Sequence, residues 1–279
     1  MRRTSIPELA PGHPEVERIV APNPGPMTLA GTNTYVVATP DGAFVIDPGP
    51  DDDLHLSAIH AAAAPRGGIA GVLLTHGHSD HTAGAASLGE PVLWGAAMPD
   101  DEVAAMAAVF TDPAPPVEPA AAPRPAATST AGPFEVVPTP GHAADHVCFV
   151  RGDVCFCGDL ILGQGSSIVP PSAAGGSLPA YMESLRRIGD LGAGLLAPGH
   201  GPWITDPAAK VSEYIEHRES RERALLAALD SGERSRERLL EIVWSDVPEV
   251  LRPAAAVAMQ AHLEKLAAEG RLPDTVQGA

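Results

Sequence analysis

The segment LLTHGHSDHTAG, residues 73–84, places three histidines and one aspartate within six positions, directly after an apolar run. In an extended chain His76 and His78 lie two residues apart and can face one point. Asp80 and His81, which open the next helix, can face a second point nearby. Neutral imidazoles and carboxylates are ligands that zinc, iron and manganese accept. A polar turn capped by Asp80, with solvated histidines, is the alternative, and it would suffice for a single histidine. The spacing therefore predicts a site for two metal ions.

Three later segments can supply the missing ligands, because each has an apolar run, then a glycine, then a ligand-type residue. The segments are VVPTPGHAADH with His142, CFCGDLILG with Asp159, and LLAPGHGPW with His200. Taken alone, Asp159 could be a turn residue and His200 a loop histidine. Functional side chains on loops that follow strands meet at a common edge of the scaffold. The complete predicted ligand set is His76, His78, Asp80, His81, His142, Asp159 and His200.

The elements that must position these residues follow from hydrophobic patterning. Residues 32–50 predict two strands joined by a PDG turn. Further strands are predicted at 69–74, 91–94, 134–137, 147–150, 154–157 and 194–197, and helices at 53–64, 80–88, 99–110 and 178–191. Such mixing indicates a layered α/β fold. The Pro- and Ala-rich residues 111–133 predict an extended surface loop without a core of its own.

From about residue 206 the pattern changes to continuous helices, predicted at 206–229, 235–244 and 253–269. We therefore predict two domains, a catalytic one at 1–205 and a C-terminal helical one at 206–279. Three helices of this length fit a winged-helix-like module or a helical cap packed on the main domain.

The net charge of −17 is unevenly spread along the 279 residues. Residues 1–208 carry 8 basic and 22 acidic groups (net −14), whereas residues 209–279 carry 10 and 13 (net −3). An acidic surface opposes general nucleic-acid binding. The N-terminal MRRTSIPELAPG lacks the apolar stretch of a signal peptide, and no apolar run is long enough to span a bilayer. We expect a cytoplasmic protein without a membrane partner.

The ordered ligand pattern HxHxDH, His, Asp, His resembles that of the metallo-β-lactamase superfamily over residues 18–205. This resemblance implies a four-layer αββα sandwich. It also implies that His76, His78 and His142 hold one metal ion, that Asp80, His81 and His200 hold a second, and that Asp159 bridges them.

A closer resemblance, to the β-lactamase-like 2 group, rests on motifs along the whole chain. They are NPGPMTLAGTNTY (23–35), TPGHAADHVCF (139–149), GDLILGQGS (158–166), APGHGPWI (197–204) and YIEHRESRE (214–222). That group includes single-strand endoribonucleases, bacterial hydrolases and thioesterases that act on polyketide carrier proteins. It carries a C-terminal winged-helix-like domain, which the helical tail resembles.

Two divalent ions about 3.5–4 Å apart can share a bridging water and lower its pKa toward about 7. Asp80 is the predicted catalytic residue, which would orient the hydroxide and accept its proton; ligation alone is the alternative. The ligand types favour zinc, with manganese or iron as alternatives. No GxSxG elbow or P-loop is present.

The sequence therefore predicts a dinuclear hydrolase of a thioester, lactone or related ester, with a small-molecule or carrier-bound acyl substrate. The first alternative is an endoribonuclease on single-stranded RNA, and the second is a DNA-binding or scaffold protein with a non-catalytic metal site. Oligomeric state and substrate contacts stay open.

Four kinds of residue outside the ligand set receive structural predictions. His146 can support the ligands, contact substrate, or bond to loop backbone. Asn33 is predicted to cap a turn near the metal rim, and Trp203 to pack beneath the His200 loop. Surface positions are predicted for the other histidines, His13, His55, His60, His217 and His262.

Overall fold

The computed structural model of the chain describes residues 7–94, 129–273 and 276. The helix predicted at 99–110 and most of the loop predicted at 111–133 lie outside these described residues. The other predicted strands and helices are present, with bounds shifted by one or two residues.

The first sheet has six strands in chain order, β1 to β6. Its strands are β1 (Glu8–Ala10), β2 (His13–Val20), β3 (Asn33–Thr39), β4 (Gly42–Ile46), β5 (Ile69–Leu73) and β6 (Val92–Trp94). Strands β1 to β4 are antiparallel, and β4, β5 and β6 are parallel. Parallel neighbours need a crossover, which α1 (Asp53–Ala63) supplies between β4 and β5. The helix predicted at 80–88 is two short helices, α2 (Ser79–Thr82) and α3 (Ala85–Leu88).

The second sheet has five strands in the order β11-β10-β9-β8-β7. They are β7 (Ser129–Ala131), β8 (Phe134–Pro138), β9 (Val147–Arg151), β10 (Val154–Gly158) and β11 (Leu195–Pro198). In this sheet β10 and β11 are the parallel pair, and α4 (Leu178–Asp190) forms their crossover. Strand β7 lies inside the segment predicted as a coreless loop. That prediction is wrong at its C-terminal end, because Ala131 is buried between the sheets.

Four layers of structure follow from where the apolar side chains point. Tyr35 and Phe44 of the first sheet meet Phe134 and Phe156 of the second in a shared core. Helix α1 covers the outer face of the first sheet. Helix α4 covers the outer face of the second. The arrangement is the predicted αββα sandwich.

The C-terminal part consists of α5 (Pro207–Asp230), α6 (Arg236–Val243) and α7 (Arg252–Ala268). Asp206 caps α5 by accepting a hydrogen bond from Ala209 N at 3.1 Å. These helices share a core of their own, which includes Trp244 and Leu263. Within residues 7–94 and 129–273, no helix is both long and apolar enough to cross a membrane.

The prediction of surface positions is wrong for two histidines, His55 and His262, which are buried. His55 is only 3% exposed, and His262 only 1%. His55 bonds to the Thr34 hydroxyl at 2.8 Å, between α1 and the first sheet. His262 lies in α7, which is buried on nearly all sides because it packs between α4 and the other C-terminal helices. A helix enclosed in this way lacks the polar face that a surface prediction assumes.

Candidate metal centre

The HxHxDH segment follows β5, and its first histidines converge with His142 of the β8–β9 loop. His78 Nδ1 lies 2.9 Å from His76 Nε2 and 3.0 Å from His142 Nε2. Nitrogens that bind one zinc ion at about 2.0–2.1 Å each lie roughly 3.3 Å apart. The three atoms thus have the spacing of a shared ion's ligands.

A second group lies beside the first and joins three loops. His200 Nε2, after β11, is 3.2 Å from Asp80 Oδ2 and 3.4 Å from Asp159 Oδ2. His81 Nε2 is 3.5 Å from each of these two carboxylates. Asp159 also approaches His142 Nε2 at 3.8 Å, so its carboxylate lies between the two groups.

The structure therefore brings all seven predicted ligands together, in three clusters of donor atoms within 4.8 Å. The clusters are His76, His78 and His142; His76, His81 and Asp159; and Asp80, His81 and His200. Their assignment as ligands of two particular ions stays a prediction.

Asp47 orients two of these imidazoles, and the sequence prediction missed it. It follows β4, just as the predicted ligands follow other strands. Its Oδ2 accepts hydrogen bonds from His81 Nδ1 at 2.9 Å and from the Thr75 hydroxyl at 2.8 Å. Thr75 Oγ1 in turn lies 3.0 Å from His76 Nδ1. With each Nδ1 held by an acceptor, each Nε2 is left for a metal ion.

The remaining ligands have similar support from backbone. His142 Nδ1 donates to Ile168 O at 2.7 Å, and His200 Nδ1 lies 3.3 Å from Gly31 O. Thr32 Oγ1 donates to Asp80 Oδ2 at 3.4 Å. The carboxylate Asp80 is thereby aimed at the site while its side chain stays 31% exposed.

Gly199 explains why a glycine precedes His200. A Cβ atom there would lie 2.3 Å from Asp159 Oδ1 and 2.7 Å from His81 Cε1. Real Cβ atoms do not come so close to other heavy atoms, so only glycine lets the β11 loop pass beside these ligands.

The electrostatics of the centre keep the His78 imidazole neutral and concentrate negative charge around His200. Burial lowers the pKa of His78 to about 3, and His142 adds to the effect, so the imidazole is neutral. Burial would raise the pKa of Asp80, but His81 and His200 lower it to about 2. Burial would lower the pKa of His200, but Asp159 and Asp80 raise it to about 9. The negative field that holds a proton on His200 also attracts a cation.

Two buried polar atoms fit a metal ion better than any protein partner. His81 Nε2 and Asp159 Oδ1 find no hydrogen-bond partner among the residues that the structure describes. Leaving such groups unpaired is costly, and both are aimed between the two histidine groups. Together with the nitrogen-rich donor set, these atoms fit divalent metal ions.

The structure gives roles to the other predicted residues. His146 Nδ1 contacts the Thr139 hydroxyl at 2.8 Å, and its ring lies 5.2 Å from that of His76, so it supports the site from beneath. Asn33 Nδ2 donates to Pro198 O and Gly201 O, both at 2.8 Å, and thus holds the His200 loop. Trp203 packs 5.2 Å from the Tyr35 ring in the intersheet core.

A loop after β10 is held by the tail. Tyr214 of α5 bonds to Leu162 N and to Gly165 O at 2.8 and 2.9 Å. Arg218, one turn later, donates to Ser167 O. The Ser167 hydroxyl donates to Asp159 O at 2.6 Å. Helix α5, the first helix of the C-terminal part, therefore holds the segment that carries Asp159. The YIEHRESRE motif contained both residues, but its spacing alone did not show what they contact.

Comparison with known proteins agrees with this geometry along the whole chain. A model described as the metallo-beta-lactamase superfamily matches residues 27–200, and one described as the beta-lactamase associated winged helix domain matches residues 235–275. A beta-lactamase-like protein 2 homolog of Drosophila melanogaster is 34% identical over 275 residues, which cover 92% of this chain and 89% of that protein.

An atrochrysone carboxyl ACP thioesterase of Aspergillus fumigatus is 34% identical over 243 residues, covering 83% of this chain and 70% of the thioesterase. The crystal structure of a metallo-beta-lactamase family protein from Thermus thermophilus superposes with a TM-score of 0.67 at 24% identity, covering 92% of this chain and 94% of the other. That likeness shows the fold. The chain belongs to the metallo-beta-lactamase superfamily, as a metal-dependent hydrolase with a C-terminal winged-helix domain.

Proposed function

We propose that the protein hydrolyses a thioester or a related ester or lactone, with two divalent metal ions, most simply zinc, at the candidate centre. The observation that carries this proposal is that five of the seven predicted ligands line a cavity of about 520 Å³; they are His78, Asp80, His142, Asp159 and His200. Small-molecule sites have volumes of about 300–1,000 Å³. The thioesterase named above supports an acyl substrate, which could be free or bound to a carrier.

His76, His78 and His142 would hold one ion, Asp80, His81 and His200 the other, and Asp159 would contact both. When bound, such ions act as Lewis acids and lower the pKa of a coordinated water. In this chain Asp80 is the ligand with a carboxylate open to the cavity, whereas the Asp159 side chain is only 12% exposed. Asp80 would therefore orient the attacking water and accept its proton. His146 and Asp47 keep the imidazoles in place.

The RNA alternative finds less support in the tail. Arg221 makes two hydrogen bonds of 2.8 Å to Asp246, and Arg218 is buried against the Tyr181 ring. The exposed arginines Arg223 and Arg238 pair with glutamates of their own helices. A phosphate backbone would have to compete with these acidic partners, in a segment whose net charge is already negative.

The test compares hydrolysis by zinc-loaded protein, chelator-treated protein and chelator-treated protein reloaded with zinc or manganese. The panel contains acyl thioesters, lactones and a fluorescent single-stranded RNA. We expect thioester or lactone turnover that is lost with the metal and restored by it. Asp80→Asn should lower kcat by about 100-fold or more, the range expected of a general base.

Asp51→Asn is the matched control, because Asp51 is exposed and outside the ligand clusters. Absence of metal-dependent turnover on every thioester and lactone would refute the proposal. Cleavage of the RNA alone would establish the alternative.

A further inference from the structure

The cavity beside the candidate metal centre extends into the C-terminal helices. At one end it is bounded by His78, Asp80 and Asp159. Its far wall is formed by the segment that joins α6 to α7 and by the start of α7, through Trp244, Val247, Leu251, Ala254 and Ala258. A substrate whose reacting bond lies at the metal centre must therefore place its remaining atoms against the tail.

Between its two ends the cavity is lined mainly by apolar side chains. Met27 and Leu29 come from the loop before β3, and Leu162 and Ile168 from the loop after β10. The α7 residues on the wall add more aliphatic surface. Such a lining favours an apolar occupant, since removing apolar surface from water is the main source of its affinity.

The arginines on the wall are already engaged within the chain. Arg221 bonds to both carboxylate oxygens of Asp246. Arg218 donates to Ser167 O and stacks on the Tyr181 ring at 5.2 Å. The charge of Arg221 is therefore paired with a carboxylate within the tail, and Arg218 holds the β10 loop.

We propose that this cavity binds the apolar acyl chain of the substrate, and that α7 sets the chain length that fits. The inference rests on the proposed function, because it places the scissile carbonyl at the metal centre. Ala254 and Ala258 are four residues apart and so share one face of α7. Their small side chains leave the space that a longer acyl chain fills.

Acetyl, hexanoyl and decanoyl thioesters of N-acetylcysteamine test the proposal on the full-length, zinc-loaded protein. Each methylene that enters the cavity should raise kcat/KM about fourfold, until the space is filled. The larger side chain of Ala254→Leu fills the space that about two methylenes of the acyl chain would otherwise occupy. It should lower the decanoyl-to-acetyl ratio of kcat/KM by about 16-fold, which is about fourfold for each of the two methylenes.

Ala256→Leu is the matched control, since Ala256 lies in the same helix, half-buried, but does not line the cavity. Its ratio should equal that of the unchanged protein. Calorimetry with the decyl and ethyl thioethers of N-acetylcysteamine, which cannot be hydrolysed, measures binding without turnover. The decyl compound should bind more tightly, and Ala254→Leu should remove most of that advantage.

The outcomes separate this inference from the proposed function. Thioester turnover with no dependence on chain length, and equal binding of both thioethers, would overturn the inference and leave the proposed function standing. Tight decyl binding that Ala254→Leu weakens, without turnover of any thioester or lactone, would support the apolar site and refute the proposed reaction. If Ala256→Leu lowered the decanoyl-to-acetyl ratio of kcat/KM as much as Ala254→Leu does, the role given to α7 would also be overturned.

Discussion

Replacing Asp47 by asparagine removes the charge of a residue that contacts no substrate but orients two predicted ligands. Asp47 is buried and has a positive φ of 50°. Few residue types other than glycine adopt this conformation; asparagine and aspartate do so more readily than most, so the backbone should tolerate the change. Asparagine can still accept from Thr75 N, as Asp47 Oδ1 does at 2.8 Å. Its NH2 group, however, then takes the place of Oδ2 and faces His81 Nδ1. Both groups are donors, so the hydrogen bond to His81 is lost.

The magnitude follows from the bonds that are lost. A hydrogen bond to a charged group contributes about 1.5–3 kcal/mol. Residues that support metal ligands typically change metal affinity by about 10–100-fold, or about 1.4–2.7 kcal/mol. Since the two ranges agree, we expect Asp47→Asn to weaken metal binding about 10–100-fold. The loss should be larger for the ion that His81 is proposed to hold, because Asp47 contacts His81 directly, than for the ion proposed at His76, which Asp47 reaches through Thr75.

Competition with a chromogenic chelator measures both metal affinities, and elemental analysis gives the stoichiometry. Asp41→Asn is the control, because Asp41 is exposed in the turn between β3 and β4. Circular dichroism checks that the fold is retained. If Asp47→Asn bound both ions as tightly as Asp41→Asn, the chain from Asp47 through Thr75 and His81 would not orient the ligands, and the reasoning would be refuted.

Two other predictions rest on single positions. Gly199→Ala places a methyl group against Asp159 and His81, so metal stoichiometry should fall by at least one ion per chain; full occupancy with the fold intact would contradict this. Burial lowers the pKa of His262 to about 3, with Arg218 and Lys265 adding to the effect, so from about pH 6.5 downward the unfolded chain binds the proton first and stability falls. His262 accounts for about 2 kcal/mol of the stability lost between pH 7 and pH 5, and other buried histidines such as His55 and His78 add to the total loss. In urea titrations the loss should therefore be about 2 kcal/mol smaller in His262→Gln than in the unchanged protein; an equal pH dependence in the two proteins would contradict the assignment.

The ligand positions could be predicted because each is encoded locally. A strand that ends in glycine and a ligand-type residue can be recognised within about ten letters, and the HxHxDH spacing adds a second local constraint. Asp47 carries only part of this signal in FVIDPGP, because the aspartate follows the β4 run directly with no glycine before it. Its role depends on meeting Thr75 and His81 from 28 and 34 residues away. Pairing of that kind depends on sheet order, which periodicity does not specify.

The burial of His262 in the tail could not be predicted from the sequence for a related reason. Helix α7 was predicted within one residue at each end, yet its His262 was placed at the surface. The helix carries alanines and other apolar residues around most of its circumference, and a helix of that kind is enclosed by neighbours rather than laid on a surface. Its neighbours come from α4, α6 and the single-turn helix Glu249–Leu251, which only the folded chain brings together.

The division of the chain at residue 206 stays a prediction, but α5 shows that the two parts are physically joined. Its first half contributes Val211 and Tyr214 to the core outside the second sheet, and its second half contributes Leu225 and Leu229 to the core of the tail. The same helix holds the β10 loop through Arg218. A change in the tail can therefore reach the segment that carries Asp159 through this one helix, because Arg218 bonds to Ser167 and Ser167 bonds to Asp159.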